Sequence, residues 1–512
     1  MKDLMNRLTF LAVLSLLLAV ACSKSTTEPA ATSQEPGAPA KAEPPSGSAG
    51  KLAETEGQNA ASEIILRNWK GDLDGMIQRR FIRILTTYSK THFFVDKGTQ
   101  RGLVAETAAL FEEELNKKLK NKNIRVQVMI LPVSHDELMP ALLEGRGDIV
   151  AAGTLVSDVK MEQVDFTNPT RTGVSVVAVT GPGTPPVTKV EDLAGREVYL
   201  QMSATSPKAI ERFNAELAKK GLAPVRIKAA PESLAEEDIL EMVNAGIVHT
   251  TLALNHIAEF WKQVFPNLVF NKSAAVKADA QTAMMIRKNS PLLKAELNAF
   301  LARYPEGSAQ RNMLFQKYLK SVKYVKKATS ESEKAKLRKT ISLFQKYGDK
   351  YSLDYLLMGA QAYQESQLDQ NAKSSVGAIG IMQLMPATGK EMKVGDIKEM
   401  EPNIHAGVKY IRFMMDQYYK DEPMDKLNKG LFTFASYNAG PGRISQLRKK
   451  AAARRLDPNK WFNNVEVLAS ESIGRETVQY VSNIYKYYLA YQMLRNEQDE
   501  RLKVKTETVG KK

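Results

Sequence analysis

The feature that most limits what this chain can fold into is a change in the period of its apolar residues part-way along. Between about residues 80 and 305, short runs with β-branched residues alternate with stretches of helical spacing. Residues 81–85, 126–130, 148–152, 174–179 and 197–200 read as strands. Residues 105–119, 138–143 and a segment through Leu292, Leu297 and Phe300 read as helices. Strands that alternate with helices imply an α/β domain with a largely parallel sheet, because a parallel pair needs a crossover connection. From about 340 to 495 the alternation vanishes, while Leu353, Leu356, Leu357 and Ala360 recur at helical spacing, so an all-α domain is expected there. With 512 residues the chain exceeds what one core organises, which fits a multidomain protein.

The ends add a compartment. Lys2 and Arg7 precede an apolar run, 8–20, too short to cross a membrane comfortably, and small residues lead to Cys22, the only cysteine. A charged start, an apolar centre and small residues make 1–21 a secretory signal. Ala19-Val20-Ala21-Cys22 resembles the lipobox of bacterial lipoproteins, which implies acylation of Cys22 and a membrane lipid anchor. With no second cysteine the exported chain folds without disulfides. Residues 22–62, rich in Ala, Pro, Ser, Glu and Gly, cannot bury enough surface to offset their conformational entropy and read as a tether. Residues 306–339 read as a basic connector and 496–512 as a charged tail. The net charge of +15 favours an anionic partner, but zinc-finger spacing, RNA-binding aromatics and an Arg-rich arm are all missing, so nucleic acid is not expected. The five histidines form no ligand-pair motif and no nucleotide fingerprint occurs, so neither metal nor cofactor is expected.

Gly102-Leu103-Val104-Ala105-Glu106, the segment 138–145 ahead of Asp148, and Asp165-Phe166-Thr167-Asn168-Pro169 resemble the amino-acid-binding family of periplasmic solute-binding proteins. The resemblance implies a two-lobed domain over 63–305 that closes on a ligand in its cleft. Lys160 stands where that family places an arginine for the ligand carboxylate, and Asn255 where an acid holds the ligand amine. Lysine lacks the planar fork and asparagine lacks the charge, so an ordinary free amino acid is a poor match.

The chemistry-bearing residues lie further on. Glu365-Ser366 ends a helix; Gly380-Ile381-Met382-Gln383-Leu384-Met385-Pro386, Tyr437-Asn438-Ala439-Gly440 and Glu476-Thr477-Val478-Gln479-Tyr480-Val481 follow in order. Singly these are ordinary, since a glutamate at a helix end is usually a solvated carboxylate. As an ordered set they resemble the soluble-lytic-transglycosylase domain, a lysozyme-like fold, over 340–495. By position the resemblance implies that Glu365 is catalytic and that Ser366, Met382, Gln383, Tyr437, Asn438 and Tyr480 line its site. The Gly-rich stretch would let backbone approach a sugar closely.

A retaining hydrolase needs a second carboxylate roughly 5 Å from the acid and an inverting one at about 6.5–9.5 Å. The motifs pair no second carboxylate with Glu365, and Asp369 reads as structural. The resemblance implies instead a lyase reaction on peptidoglycan, in which one acid protonates the β-1,4 bond and the muramic acid C6 hydroxyl closes on C1. A solute-binding-like domain fused to this one resembles a family of membrane-bound lytic transglycosylases, usually outer-membrane lipoproteins. Ser23 after the cysteine is not the aspartate of inner-membrane retention. The amino-terminal domain is expected to regulate cleavage by binding a muropeptide or stem peptide. A glycan-binding sensor without catalysis and a lysozyme-type hydrolase remain open alternatives at this point.

Overall fold

The computed structural model describes residues 67–96, 98–204, 207–328 and 331–509, so the signal segment, Cys22 and the tether at 22–62 lie outside the described residues. The first half begins α1 (Leu73–Arg79), β1 (Phe81–Thr86), β2 (Phe94–Asp96), β3 (Thr99–Arg101), α2 (Leu103–Lys118), β4 (Gln127–Pro132), α3 (Leu138–Glu144), β5 (Ile149–Val150), α4 (Asp158–Met161) and β6 (Val164–Phe166). It continues β7 (Arg171–Thr180), β8 (Glu197–Gln201), α5 (Pro207–Lys219), β9 (Arg226–Ala230), α6 (Glu236–Asn244), β10 (Thr250–Leu254), α7 (Asn255–Lys262), β11 (Val269–Thr282), β12 (Met285–Arg287) and α8 (Pro291–Arg303).

These make two lobes. One carries the sheet β4-β1-β5-β12-β6, the other the sheets β10-β7-β11 and β8-β9. Side chains alternate across a strand, and the first sheet uses both faces. Ile82, Ile84, Val128 and Ile130 pack under α2 and α8, while Leu85, Leu131 and Val150 face α3. The parallel pairing expected for the domain is found at β4-β1-β5 and between β8 and β9. β12 is antiparallel to both its neighbours, and β7 pairs antiparallel with β10 and β11. The reason is that the chain leaves the first lobe along β7 and returns along the 14-residue β11, entering the first sheet from the opposite end.

Beyond α8 lie α9 (Ala309–Leu319), α10 (Lys323–Ala328), α11 (Glu331–Tyr351), α12 (Tyr355–Ser366), α13 (Pro386–Met392), α14 (Met400–Tyr419), α15 (Lys426–Ala439), α16 (Pro441–Ala453), α17 (Glu466–Ser472) and α18 (Arg475–Val509). The described part of the expected connector is therefore packed helix rather than a bare spacer: Leu314, Tyr318 and Leu319 of α9 are buried. Likewise α18 runs on as helix through most of the expected tail. The all-α expectation holds, with only isolated bridges at Lys373–Ile379 and Ile379–Leu384. The core of this half gathers Ile404, Val408 and Ile411 of α14, Leu431, Phe432 and Phe434 of α15, Trp461 and Ile484.

The two halves also touch. Arg80 pairs with the buried Glu466 at 2.5 Å, and Lys486 with Glu112 at 2.7 Å. Tyr363 on α12 donates to Thr99 Oγ1 (2.9 Å) and Tyr491 on α18 to the Gly98 carbonyl (2.9 Å), so both helices rest on the β2–β3 hairpin.

Candidate active site

α12 starts two residues later than the apolar spacing suggests, because Asp354 caps it. Its carboxylate accepts from the backbone N–H of Leu356 (2.8 Å) and Leu357 (3.4 Å), leaving Leu353 outside the helix. At the other end the chain turns sharply through Gln367 and Leu368, which hold positive φ of 55° and 61° without being glycine. Such conformations cost free energy and persist where the surroundings enforce them, often at functional sites. Glu365 and Ser366 are the last residues before this turn. Ser366 Oγ donates to the Ile381 carbonyl at 2.8 Å and the Ala362 carbonyl at 3.2 Å, tying the helix end to the loop that follows.

That loop is held from beneath by Asn403, a fully buried residue of α14. Its amide donates to the Ile379 (2.9 Å) and Ile397 (2.8 Å) carbonyls and accepts from Met382 N–H (2.9 Å). Gly380 sits at φ +81°, and a Cβ there would lie 2.3 Å from the Asn403 amide nitrogen. At Gly380 the missing side chain therefore makes room for Asn403, whereas a Cβ at Gly377 would meet open space. Met382 is likewise turned inward. It is 0% exposed and lies against the bare Cα of Gly407, where a Cβ would approach its Cγ to 2.6 Å. Its contribution outside the core is its carbonyl, which accepts from the Tyr437 hydroxyl at 2.7 Å. The Gln383 amide, at positive φ, is spent on the Ala372 (3.2 Å) and Gly380 (2.8 Å) carbonyls.

Glu365 itself is half-buried, and its Oε1 accepts from the Tyr480 hydroxyl at 2.5 Å. Burial pushes its carboxyl up to about 7, and the Tyr480 hydrogen bond opposes that shift only in part. Burial, with Glu365 close by, pushes both Tyr437 and Tyr480 well above the usual tyrosine range, so each phenol keeps its proton and acts as a donor. The Asn438 side-chain Oδ1 accepts from Thr477 Oγ1 at 2.6 Å. Beside the acid an open depression is lined by Gln364, Asn438, Arg475, Glu476, Gln479, Tyr480 and Asn483. Asp369, exposed and bonded to Asn371 N–H at 3.0 Å, belongs to the turn.

Several of these residues escaped the sequence reading. Arg475, Glu476, Gln479 and Asn483, none of them an expected site residue, share one face of α18 with the expected Tyr480, and their spacing is a polar stripe open to inspection. Gln361 is subtler. It is 0% exposed, and its amide donates to the Tyr480 hydroxyl oxygen at 3.3 Å, which commits the phenol's proton to Glu365. Gln361→Leu should cut turnover by about fivefold, the worth of one net hydrogen bond. Tyr480 would become a weaker donor to the carboxylate, so the alkaline limb of the pH profile should move upward with KM unchanged. An unaltered pH profile would show that Gln361 only fills space.

In the amino-terminal domain, the two cleft candidates do not line the cavity between α2, α8 and α9. Lys160 is half-buried, and burial, then Lys277, lower its ammonium. Asn255 accepts from Ser175 N–H at 3.3 Å. The lobes are shut on each other, with His135 Nδ1 2.9 Å from Ser203 Oγ and Lys90 N–H donating to Glu237 Oε1 at 2.8 Å. Among the described residues no group of His, Cys, Asp and Glu is arranged to hold a metal ion, and no helix is long and apolar enough to cross a membrane.

Residues 342–461 match the family of the transglycosylase SLT domain, and residues 82–321 match bacterial extracellular solute-binding proteins, family 3. The chain is similar to the membrane-bound lytic murein transglycosylase F of Desulfosudis oleivorans, with 26% identity over 80% of this chain and 89% of that one. It is similar to the protein of the same name from Pseudomonas fluorescens, with 26% identity over 80% of this chain and 84% of the relative. Among solved structures, holo ArgBP from T. maritima is 18% identical with a TM-score of 0.38, covering 48% of this chain and 99% of its own.

Proposed function

We propose that this chain, a family 3 solute-binding domain followed by a transglycosylase SLT domain, is a peptidoglycan lytic transglycosylase. It cleaves the β-1,4 bond between N-acetylmuramic acid and N-acetylglucosamine and leaves a 1,6-anhydromuramic acid end. The observation that carries this reading is one half-buried carboxyl, raised to about 7, donated to by a phenol and placed beside an open polar depression. Such an acid is still protonated near neutral pH and can give its proton to a leaving oxygen.

The proton cycle closes on Glu365 alone. Its proton moves to the glycosidic oxygen as the C1–O bond breaks and the muramic ring acquires oxocarbenium character. Tyr480 then supports the new carboxylate by donating to Oε1. That carboxylate takes the C6 hydroxyl proton as the C6 oxygen bonds to C1, which restores the acid without consuming water. Tyr437, held by the Met382 carbonyl, and Ser366, latched to Ile381, act by fixing the walls around the acid. Asn438 and the polar face of α18 offer amides to N-acetyl groups and hydroxyls. Product mass from purified sacculi is the test. Anhydro ends support the reading, products heavier by one water would make the protein a hydrolase, and no cleavage would make it a binding protein.

The finer parts of the reading concern the anchor and the effector. Acylation at Cys22 would hold the enzyme on the periplasmic face of the outer membrane, each buried methylene adding about 0.8 kcal/mol. Intact mass without acyl chains in the wild-type protein would refute it. The amino-terminal domain is proposed to sense a peptidoglycan stem peptide, whose binding to one lobe arrangement would alter cleavage. Such couplings run at about 1–3 kcal/mol. Calorimetry on the full chain should show stem-peptide binding with little affinity for single amino acids, and turnover should respond to the peptide. Tight binding of a free amino acid with no effect on cleavage would return the domain to simple solute capture.

A further inference from the structure

The amino-terminal domain contains a cavity of about 430 Å³ that Lys160 and Asn255 do not line. Its volume falls in the range of small-molecule sites, about 300–1,000 Å³. It lies between α2, α8 and α9, within one lobe and the segment that follows it, and reaches the hinge strands. Its walls are apolar: Ala108 and Phe111 of α2, Leu297 and Phe300 of α8, Leu314 and Phe315 of α9. One end is different. Arg171 and Arg311 line it, Arg171 lying over the Phe315 ring at 4.3 Å and Arg311 donating to the Thr170 carbonyl. Both guanidiniums feel the same carboxylate, Glu306, whose Oε2 accepts from Thr172 N–H and Oγ1 at 3.0 Å each; two cations facing one anion leave one positive charge over. Two imidazoles share this cavity. Their Nδ1 atoms lie 3.3 Å from Thr91 Oγ1 in His92 and 3.4 Å from Asn255 Oδ1 in His256.

We infer that this cavity is a binding site for an amphipathic anion, a hydrocarbon chain with a carboxylate or phosphate head. The chain lies along the wall between α2, α8 and α9, and Arg171 and Arg311 receive the head. A guanidinium matches either head through paired N–H donors, and it is the more weakly hydrated cation, so it surrenders water readily to such a pair. This site is separate from the stem-peptide reading, which rests on the cleft at Lys160 and Asn255.

The test titrates decanoate, octanoate, decyl phosphate and decanol into the protein in detergent-free buffer, below their aggregation limits, by calorimetry. Decanoate or decyl phosphate should bind one per chain, and the tighter of the two identifies the head. Shortening decanoate to octanoate should weaken binding by roughly fourfold per methylene. Decanol should bind at least tenfold more weakly than decanoate. In Arg171→Gln and Arg311→Gln that preference should disappear while decanol still binds, which shows the variants are folded. Thr107→Phe, entering from a half-buried wall position, should exclude every probe without lowering the thermal midpoint. Decanol binding as tightly as decanoate, no dependence on chain length, or no binding by any probe would each overturn the inference.

Discussion

Glu365→Gln is expected to abolish release of anhydro-muropeptides while making the folded protein more stable above about pH 7. The amide keeps the size of the side chain and can still accept from Tyr480, but it cannot donate a proton of useful acidity. General acid–base catalysis is worth about 10²–10⁴-fold for a single transfer, and this residue performs two. In the native state Glu365 holds its proton up to about pH 7, against 4.5 for an ordinary glutamate. The native state therefore binds the extra proton between those values, and this contribution to stability, complete below 4.5, is lost as pH rises through 7. Above that pH the wild type carries a buried carboxylate whose cost is on the order of 3 kcal/mol at most. The glutamine carries none. Wild-type turnover should fall on the alkaline side of about pH 7 as the donor ionises. Anhydro-product release by chromatography, paired with urea melts at pH 6 and 8, checks both halves. Near-normal release by the folded variant would remove Glu365 from the mechanism, and equal stability at pH 8 would mean the carboxyl is not desolvated.

What could be read in advance followed the range of the interactions. Motif order placed Glu365, Ser366, Tyr437 and Tyr480 in one neighbourhood because each is set by its own helix. It could not say which way a side chain turns. Met382 and Gln383 look like ligands for a sugar, yet the bare surface at Gly407 and the carbonyls of Ala372 and Gly380 draw them inward. Gln361 looks like an ordinary helix residue, since its partner lies 119 positions away. Strand direction is hidden for the same reason. Periodicity identifies a strand but not the end from which the chain re-enters the sheet, and β11 decides that for β12. The resting of α12 and α18 on the β2–β3 hairpin joins residues more than 260 positions apart, and no local pattern announces it.

Asp148→Leu should destabilise the amino-terminal domain by about 3–5 kcal/mol, enough to threaten a domain whose whole stability is typically about 5–15. Asp148 is 0% exposed and is the shared anion of three guanidiniums. Arg83, also 0% exposed, reaches it through Nε at 3.2 Å, Nη2 at 3.0 Å and its backbone N–H at 2.9 Å. Arg79 bonds it too, and Arg287 lies 3.3 Å away. Burial pushes Arg79 down to about 10 even with this carboxylate beside it, so the site already strains to hold its cations. Removing the anion leaves Arg83 charged in a dry interior, facing the Arg67, Trp69 and Gly145 carbonyls. Arg79 and Arg287 are less confined, being 15% and 8% exposed, and can turn partly toward water. The loss should therefore come mainly from Arg83, and a second change should recover much of it. Asp148→Leu combined with Arg83→Met removes both members of the deepest pair and is expected to be more stable than Asp148→Leu alone, because apolar replacements for a buried pair avoid its desolvation cost. Urea unfolding followed by circular dichroism measures all three proteins. If the double variant is no more stable than the single one, the cost lies in lost packing and backbone anchoring at β1 and β5 rather than in the stranded charge.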